Sequence, residues 1–297
     1  MNNSKIIIWL KQIRAPFLVL SVVLVLIGVG FAYREGYASW FYTLLLLTGV
    51  ISAHISVNLF NELSDFKTGI DFHTTPTPFS GGSGMLQKQN TDPKTVKTVA
   101  YVCILLSAVI GLYFFLSRGW LILVFMISGA LAARFYTSHL TRYLLGEPVA
   151  GLTLGTFVVL GSFYALSGFL NLLVIWVSVP AGILTSLLLL LNEFPDREAD
   201  QKGGRHHLII HFGTKTSSKI YFIGMVVTFS MLCLTPLLFN LSYLFLVSLL
   251  TVPLAVKAVL ITRKYHDDKK NLLPALGLNV GVIILTDLLI AIGSILS

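Results

Sequence analysis

The stretch Leu187–Gly213, LLLLLNEFPDREADQKGGRHHLIIHFG, runs an apolar rod into a cluster of acids. Asn192, Asp196 and Asp200 recur every four residues, so a helix carried through them stacks all three on one face, a turn apart. Carboxylates at this spacing repel one another and are costly at the edge of lipid. Two readings follow: a solvated helix end, or a site for divalent cations. A second stretch, Val57–Asp71, reads VNLFNELSDFKTGID and decides between them. Asn61, Glu62 and Asp65 match Asn192, Glu193 and Asp196 at a constant offset of 131. The chain therefore reads as a single domain of two related halves, about 1–140 and 141–297. Each half ends an apolar helix in an Asn and several carboxylates, and two such tips facing one another could hold two or more Mg2+ ions with a diphosphate between them.

Composition sets the surroundings of these tips. Of 297 residues 55% are hydrophobic and 11% charged, and the mean hydropathy is +0.83, values that exclude an ordinary soluble domain. The expectation is an all-α integral membrane protein. The net charge of +8 would suggest nucleic acid in a soluble chain, but here it carries topology rather than a nucleic-acid partner. Windows of bilayer length predict nine transmembrane helices: 15–32, 40–60, 96–116, 120–135, 149–170, 172–191, 220–239, 241–261 and 273–295. All but Arg34 and Arg118 of the 21 Lys and Arg then fall on one side, which predicts a cytoplasmic amino terminus and both acidic tips in the cytoplasm. Cys103 and Cys233 lie inside apolar runs, so neither a disulfide framework nor a thiolate metal site is expected.

The remaining polar features sort around this frame. Asn2–Arg14 reads as an interfacial amphipathic helix rather than a signal peptide. His54 is expected to be hydrogen-bonded inside the bundle. The polar segment 65–97 is long enough to act as a lid. Its Phe79–Gly84, FSGGSG, lacks the Gly-Lys-Ser/Thr of a Walker site, and reads as a Gly/Ser turn covering a ligand before a short helix from Met85. Tyr136, at the end of the fourth helix, is either an interface anchor or a ring whose π face meets a cation in the cavity. Lys202 and Arg205 read as phosphate contacts beside the acidic face. His207 and His211 are spaced like part of a zinc helix, but the Glu expected after the first His is absent, which argues against zinc. Asp287, deep in the last span, is expected to be capped or paired.

With these residues quoted, the chain resembles the UbiA superfamily of intramembrane prenyltransferases over nearly its whole length. The motif Asn-Asp-x-x-Asp-x-x-x-Gly-x-Asp of the naphthoate branch stands here as Asn61-Glu62-x-x-Asp65-x-x-x-Gly69-x-Asp71. The second motif stands as Asn192, Asp196 and Asp200, followed by Gly203-Gly204-Arg205. FSGGSG and Phe135-Tyr136-Thr137 are also similar to that branch, the 1,4-dihydroxy-2-naphthoate polyprenyltransferases. Glu62 stands where Asp is usual, Thr77 where an Arg often precedes Pro-Phe, and His206-His207 where Thr-Leu is common.

The resemblance implies nine helices around a central cavity open to the lipid bilayer, capped on the cytoplasmic side by the two polar loops. It implies transfer of a polyprenyl group from polyprenyl diphosphate to an aromatic acceptor, 1,4-dihydroxy-2-naphthoate in menaquinone biosynthesis. Mg2+ would be held by Asp65, Asp71, Asp196 and Asp200 with Asn61 and Asn192, with Lys202 and Arg205 on the diphosphate and Tyr136 shielding the allylic cation. Glu62 or Asp71 could take the acceptor's proton. The alternatives are another acceptor, such as 4-hydroxybenzoate or a lipid, and, outside enzymes, a cation-coupled transporter. Transport calls for polar groups near the midplane, and Asp287 is the one acid well inside a span.

Overall fold

The computed structural model describes residues 3–69, 82–135, 143–202 and 204–297, and every regular element among them is helical. Asn3–Gln12 forms α1, and Arg14, in the left-handed conformation at φ 53, breaks the chain before α2, Ala15–Arg34. Ser39 opens α3, Trp40–Thr68, by accepting the Tyr42 amide hydrogen, and Gly69 closes it at φ 76, where a side chain would be strained. Asp92 caps α4, Pro93–Arg118, by accepting from the Thr95 amide at 2.9 Å. Trp120–Phe135 is α5.

A second series follows. Gly146–Ala150 is α6; a π-helical stretch, Gly151–Thr156, leads into α7, Phe157–Ser167. Leu172–Lys202 is α8, whose first turn is capped by Asn171 Oδ1 accepting from the Val174 amide at 2.9 Å. Leu208–Phe239 is α9, interrupted at Gly213 by φ 75 and ψ 163. A 3-10 stretch, Tyr243–Thr251, precedes α10, Val252–Tyr265, and α11 runs from Lys269 to Leu296.

Among the described residues, eight helical segments are long and apolar enough to cross a membrane. The fourth expected span, α5, is an apolar helix of 16 residues, shorter than those eight. The predicted windows are short at their polar ends. Expected at 172–191, α8 continues through Pro195 to Lys202, and the window 220–239 belongs to a helix that starts at Leu208.

Packing centres on α2, whose Leu24, Val25, Ile27 and Ala32 are fully buried, against α3, α7, α8 and α11. Burial here is packing between helices, and small residues set its closeness. A Cβ on Gly155 in the π-helical stretch would stand 2.6 Å from Gly182 Cα of α8, so only glycine allows these two backbones to touch. The reverse pattern marks the outer wall. On α4, Val102, Leu105, Val109, Leu112 and Leu116 are 51–75% exposed at helical spacing, and 11% of the residues in its apolar window are buried. Such a stripe is compatible with lipid and not with water. The chain is a membrane protein.

Two expectations need correction. Met85–Gln89 forms turns rather than a short helix, with Met85 and Leu86 buried. Asp287 is fully buried, yet neither carboxylate oxygen has a hydrogen-bond partner among the described residues; the neighbouring Thr286 hydroxyl is engaged by Thr251 at 2.6 Å.

Candidate active site

The unbroken course of α3 and α8 past the apolar spans is what builds the site. Asn61 and Asp65 lie one turn apart on α3, as do Asn192, Asp196 and Asp200 on α8, so each set shares a helix face. All five line one cavity of about 640 Å3. Asp65 and Asp200 are buried, and Arg205 joins them across the cavity. One guanidinium nitrogen pairs with Asp65 Oδ1; the other, Nη1, donates to Asp200 Oδ1 at 2.9 Å. The turn after α8 makes this possible, because the Arg205 amide returns to the Asp200 carbonyl at 2.9 Å and Gly204 adopts φ 76. Arg205 meets Asp65 across 140 residues of sequence, so the two tips are within the span of one arginine.

Away from this polar end the cavity becomes apolar. Leu46, Ile110, Phe114, Ile122, Phe125 and Phe157 line it between α3, α4, α5 and α7. His54 also faces it, with Nδ1 2.8 Å from Ser21 Oγ, which is the hydrogen-bonded bundle histidine expected of it.

Divalent cations fit the polar end on its own chemistry. The donors are hard oxygens from three carboxylates and two amides, and Asn192 Oδ1 is buried without a hydrogen-bond partner. Lys202 is exposed and is not among the cavity's lining residues. Asp71, Tyr136 and Gly203, with residues 70–81 of the polar loop, lie outside the described residues.

Glu62 has another role than the sequence suggests. It is fully buried, does not line the cavity, and accepts hydrogen bonds from Gln12 Nε2 at 3.1 Å, Arg14 Nη2 at 3.2 Å, Ser83 Oγ at 2.7 Å and the Ser83 amide. A carboxylate so saturated and turned from the cavity is not the acceptor's base. It ties α1 and the Gly82–Gly84 turn to α3. Gln12, itself buried, accepts in turn from Thr91 Oγ1 at 2.7 Å, so α1 is clamped to the site rather than only lying on a surface. The turn's Ser83 amide is therefore engaged by Glu62, while Gly82 borders the cavity.

The His207–His211 pair does not form. His211 is exposed with its ring against Phe212, while His207 caps α9, buried beside Glu147 and Glu193. Sequence spacing gave no sign of this grouping, since its members come from three separate segments.

Comparison with known proteins places this geometry. The family model described as UbiA prenyltransferase family matches residues 21–280. The 1,4-dihydroxy-2-naphthoate octaprenyltransferase of Bacillus subtilis (strain 168) is 29% identical over 235 residues, 75% of this chain and 74% of its own. A UbiA homolog from Aeropyrum pernix K1 superposes with a TM-score of 0.72 at 15% identity, covering 94% of this chain and 97% of that one. One from Archaeoglobus fulgidus, solved bound to GPP and Mg2+, superposes with a TM-score of 0.62 at 14% identity, covering 98% of this chain and 100% of that one.

Proposed function

Because the chain belongs to the UbiA prenyltransferase family and is a prenyltransferase, we propose that it transfers a polyprenyl group from polyprenyl diphosphate to 1,4-dihydroxy-2-naphthoate, with Mg2+, in menaquinone biosynthesis. The observation that carries this reading is the single cavity with Asn61, Asp65, Asn192, Asp196, Asp200 and Arg205 at one end and an apolar length beyond. A prenyl diphosphate has the same two-part character. The acceptor follows the name of the B. subtilis relative.

Asp65, Asp71, Asp196 and Asp200, with Asn61 and Asn192, would hold Mg2+, which when bound neutralises the diphosphate as a leaving group. Arg205, already between the two tips, would turn its guanidinium to the diphosphate oxygens, with Lys202 adding charge from the rim. The allylic C–O bond then breaks with its electron pair going to the diphosphate, a ring carbon of the acceptor supplies the pair for the new C–C bond, and that carbon gives up the group it carried, as H+ or, at the carboxylate-bearing carbon, as CO2, with the electron pair of the broken bond returning to the ring. The apolar wall around Phe114, Phe125 and Phe157 excludes water from the allylic centre. Tyr136 would face that centre with its ring. In this reading the single domain is two related halves, about 1–140 and 141–297, embedded in the cytoplasmic membrane with the tips toward the cytoplasm.

The test is an assay of purified protein with Mg2+, farnesyl or geranylgeranyl diphosphate, and a panel of aromatic acceptors. Prenylated naphthoate product is expected, lost in Asp65→Ala and in Asp196→Ala. Product formation unchanged in those variants would sink the site assignment; a product on 4-hydroxybenzoate alone would move the enzyme to another pathway.

A further inference from the structure

We propose that Glu147, Glu193 and His207 form a second metal site, suited to a cation such as Zn2+ and adjoining the Asn/Asp tips with a donor set of its own. Glu147 comes from the first turn of α6, Glu193 from α8, and His207 from the cap of α9. They are 1%, 9% and 2% exposed, and one donor atom from each lies within 4.8 Å of the others. This is more than acids in proximity. The carboxyl groups of Glu147 and Glu193 face one another, and Glu147 Oε2, Glu193 Oε2 and His207 Nδ1 are buried with no partner in good hydrogen-bond geometry.

The separation of His207 from Glu193 suits two ligands better than a hydrogen bond. His207 Nδ1 stands 3.5 Å from Glu193 Oε2, too far for a good N–H to oxygen bond. Two donors at zinc's bond length of about 2.1 Å in a tetrahedron sit about 3.4 Å apart. The surroundings also hold the donors in place. Glu147 Oε1 accepts the Leu208 amide hydrogen at 3.0 Å, which fixes that carboxylate and leaves Oε2 for a ligand. His207 Nε2 lies 3.3 Å from Asp200 Oδ2 and Nδ1 3.5 Å from Glu193 Oε2, so Nδ1 is the nitrogen on the glutamate side.

Donor chemistry separates this site from the tips. An imidazole nitrogen beside two carboxylates favours Zn2+ over Mg2+, which takes oxygen donors. The bound ion would staple the starts of α6 and α9 to α8 beside Asn192. Glu193 and His207 also border the cavity.

The test uses untagged full-length protein carrying Asp65→Ala and Asp196→Ala, so that the tips no longer compete, dialysed against Zn2+. One retained equivalent is expected, with one imidazole in its zinc X-ray absorption spectrum and a higher Tm than the metal-free protein. Adding Glu147→Gln or His207→Ala should cut zinc affinity at least tenfold and abolish the Tm rise; the metal-free Tm of Glu147→Gln checks that it folds. No retained zinc in the parent, a spectrum of oxygen donors alone, or equal retention in both added variants would overturn the proposal. None of these readouts depends on prenyl transfer.

Discussion

Arg205 holds Asp65 and Asp200 at once, so its loss is felt by both tips. A charged hydrogen bond to a phosphate or carboxylate contributes about 1.5–3 kcal/mol, so Arg205→Ala should lower kcat/KM for the prenyl diphosphate by roughly 10- to 100-fold. Arg205→Lys should recover only part of this, because an ammonium cannot span two partners in one plane; steady-state kinetics with varied diphosphate check both. Glu62 offers a contrast. Glu62→Ala would strand donors of Gln12, Arg14 and Ser83, a cost of about 2–3 kcal/mol, seen as a Tm lower by roughly 5 °C or more. Its equivalence to Glu193 was legible in the repeat, but its duty was not. The partners that define it lie 50 and 21 residues away, Gln12 in a segment with no motif of its own. The same holds for Glu147, whose neighbours Glu193 and His207 become so only through the tertiary fold.

At the scale of elements, apolar length was enough to locate the apolar helices. The predicted starts at Ala15, Trp40, Trp120 and Leu172 coincide with those of α2, α3, α5 and α8. Helix ends were less legible, because a hydropathy window stops where charge begins and helical hydrogen bonding does not. Pro195 shows why: a proline reads as a breaker, yet α8 passes through it, and that extension is what aligns Asn192 with Asp196 and Asp200. The alignment depends on how closely α8 meets the π-helical stretch. Gly155→Val would force the backbones at Gly155 and Gly182 apart, at a cost of about 1–3 kcal/mol. Activity should fall along with Tm, measured together by thermal inactivation and assay, whereas Gly281→Ala, with nothing within 4 Å of an added Cβ and outside the cavity lining, should change neither.

Across the whole molecule, one set of helices divides its surface between lipid and cavity. Leu105 on α4 is 65% exposed and its neighbour Ile104 lines the cavity, so adjacent residues serve different solvents. Leu105→Lys should cost about 2.5–3.5 kcal/mol in the middle of a span, while Leu105→Ala should be tolerated; the yield of protein in the membrane fraction reads the difference. The arginine bridge between the tips has a consequence for the order of loading. While the guanidinium sits on Asp65 and Asp200, a bare dication approaching those oxygens meets positive charge already in residence. An arriving anion changes that balance by drawing the guanidinium to itself, so the metals and the pyrophosphate headgroup should enter as a mutual pair. Calorimetry should therefore record little heat from Mg2+ alone and strong, joint uptake of Mg2+ with an unreactive thiolodiphosphate. An idle enzyme of this kind keeps its electrophile-making machinery disarmed until there is an electrophile to make.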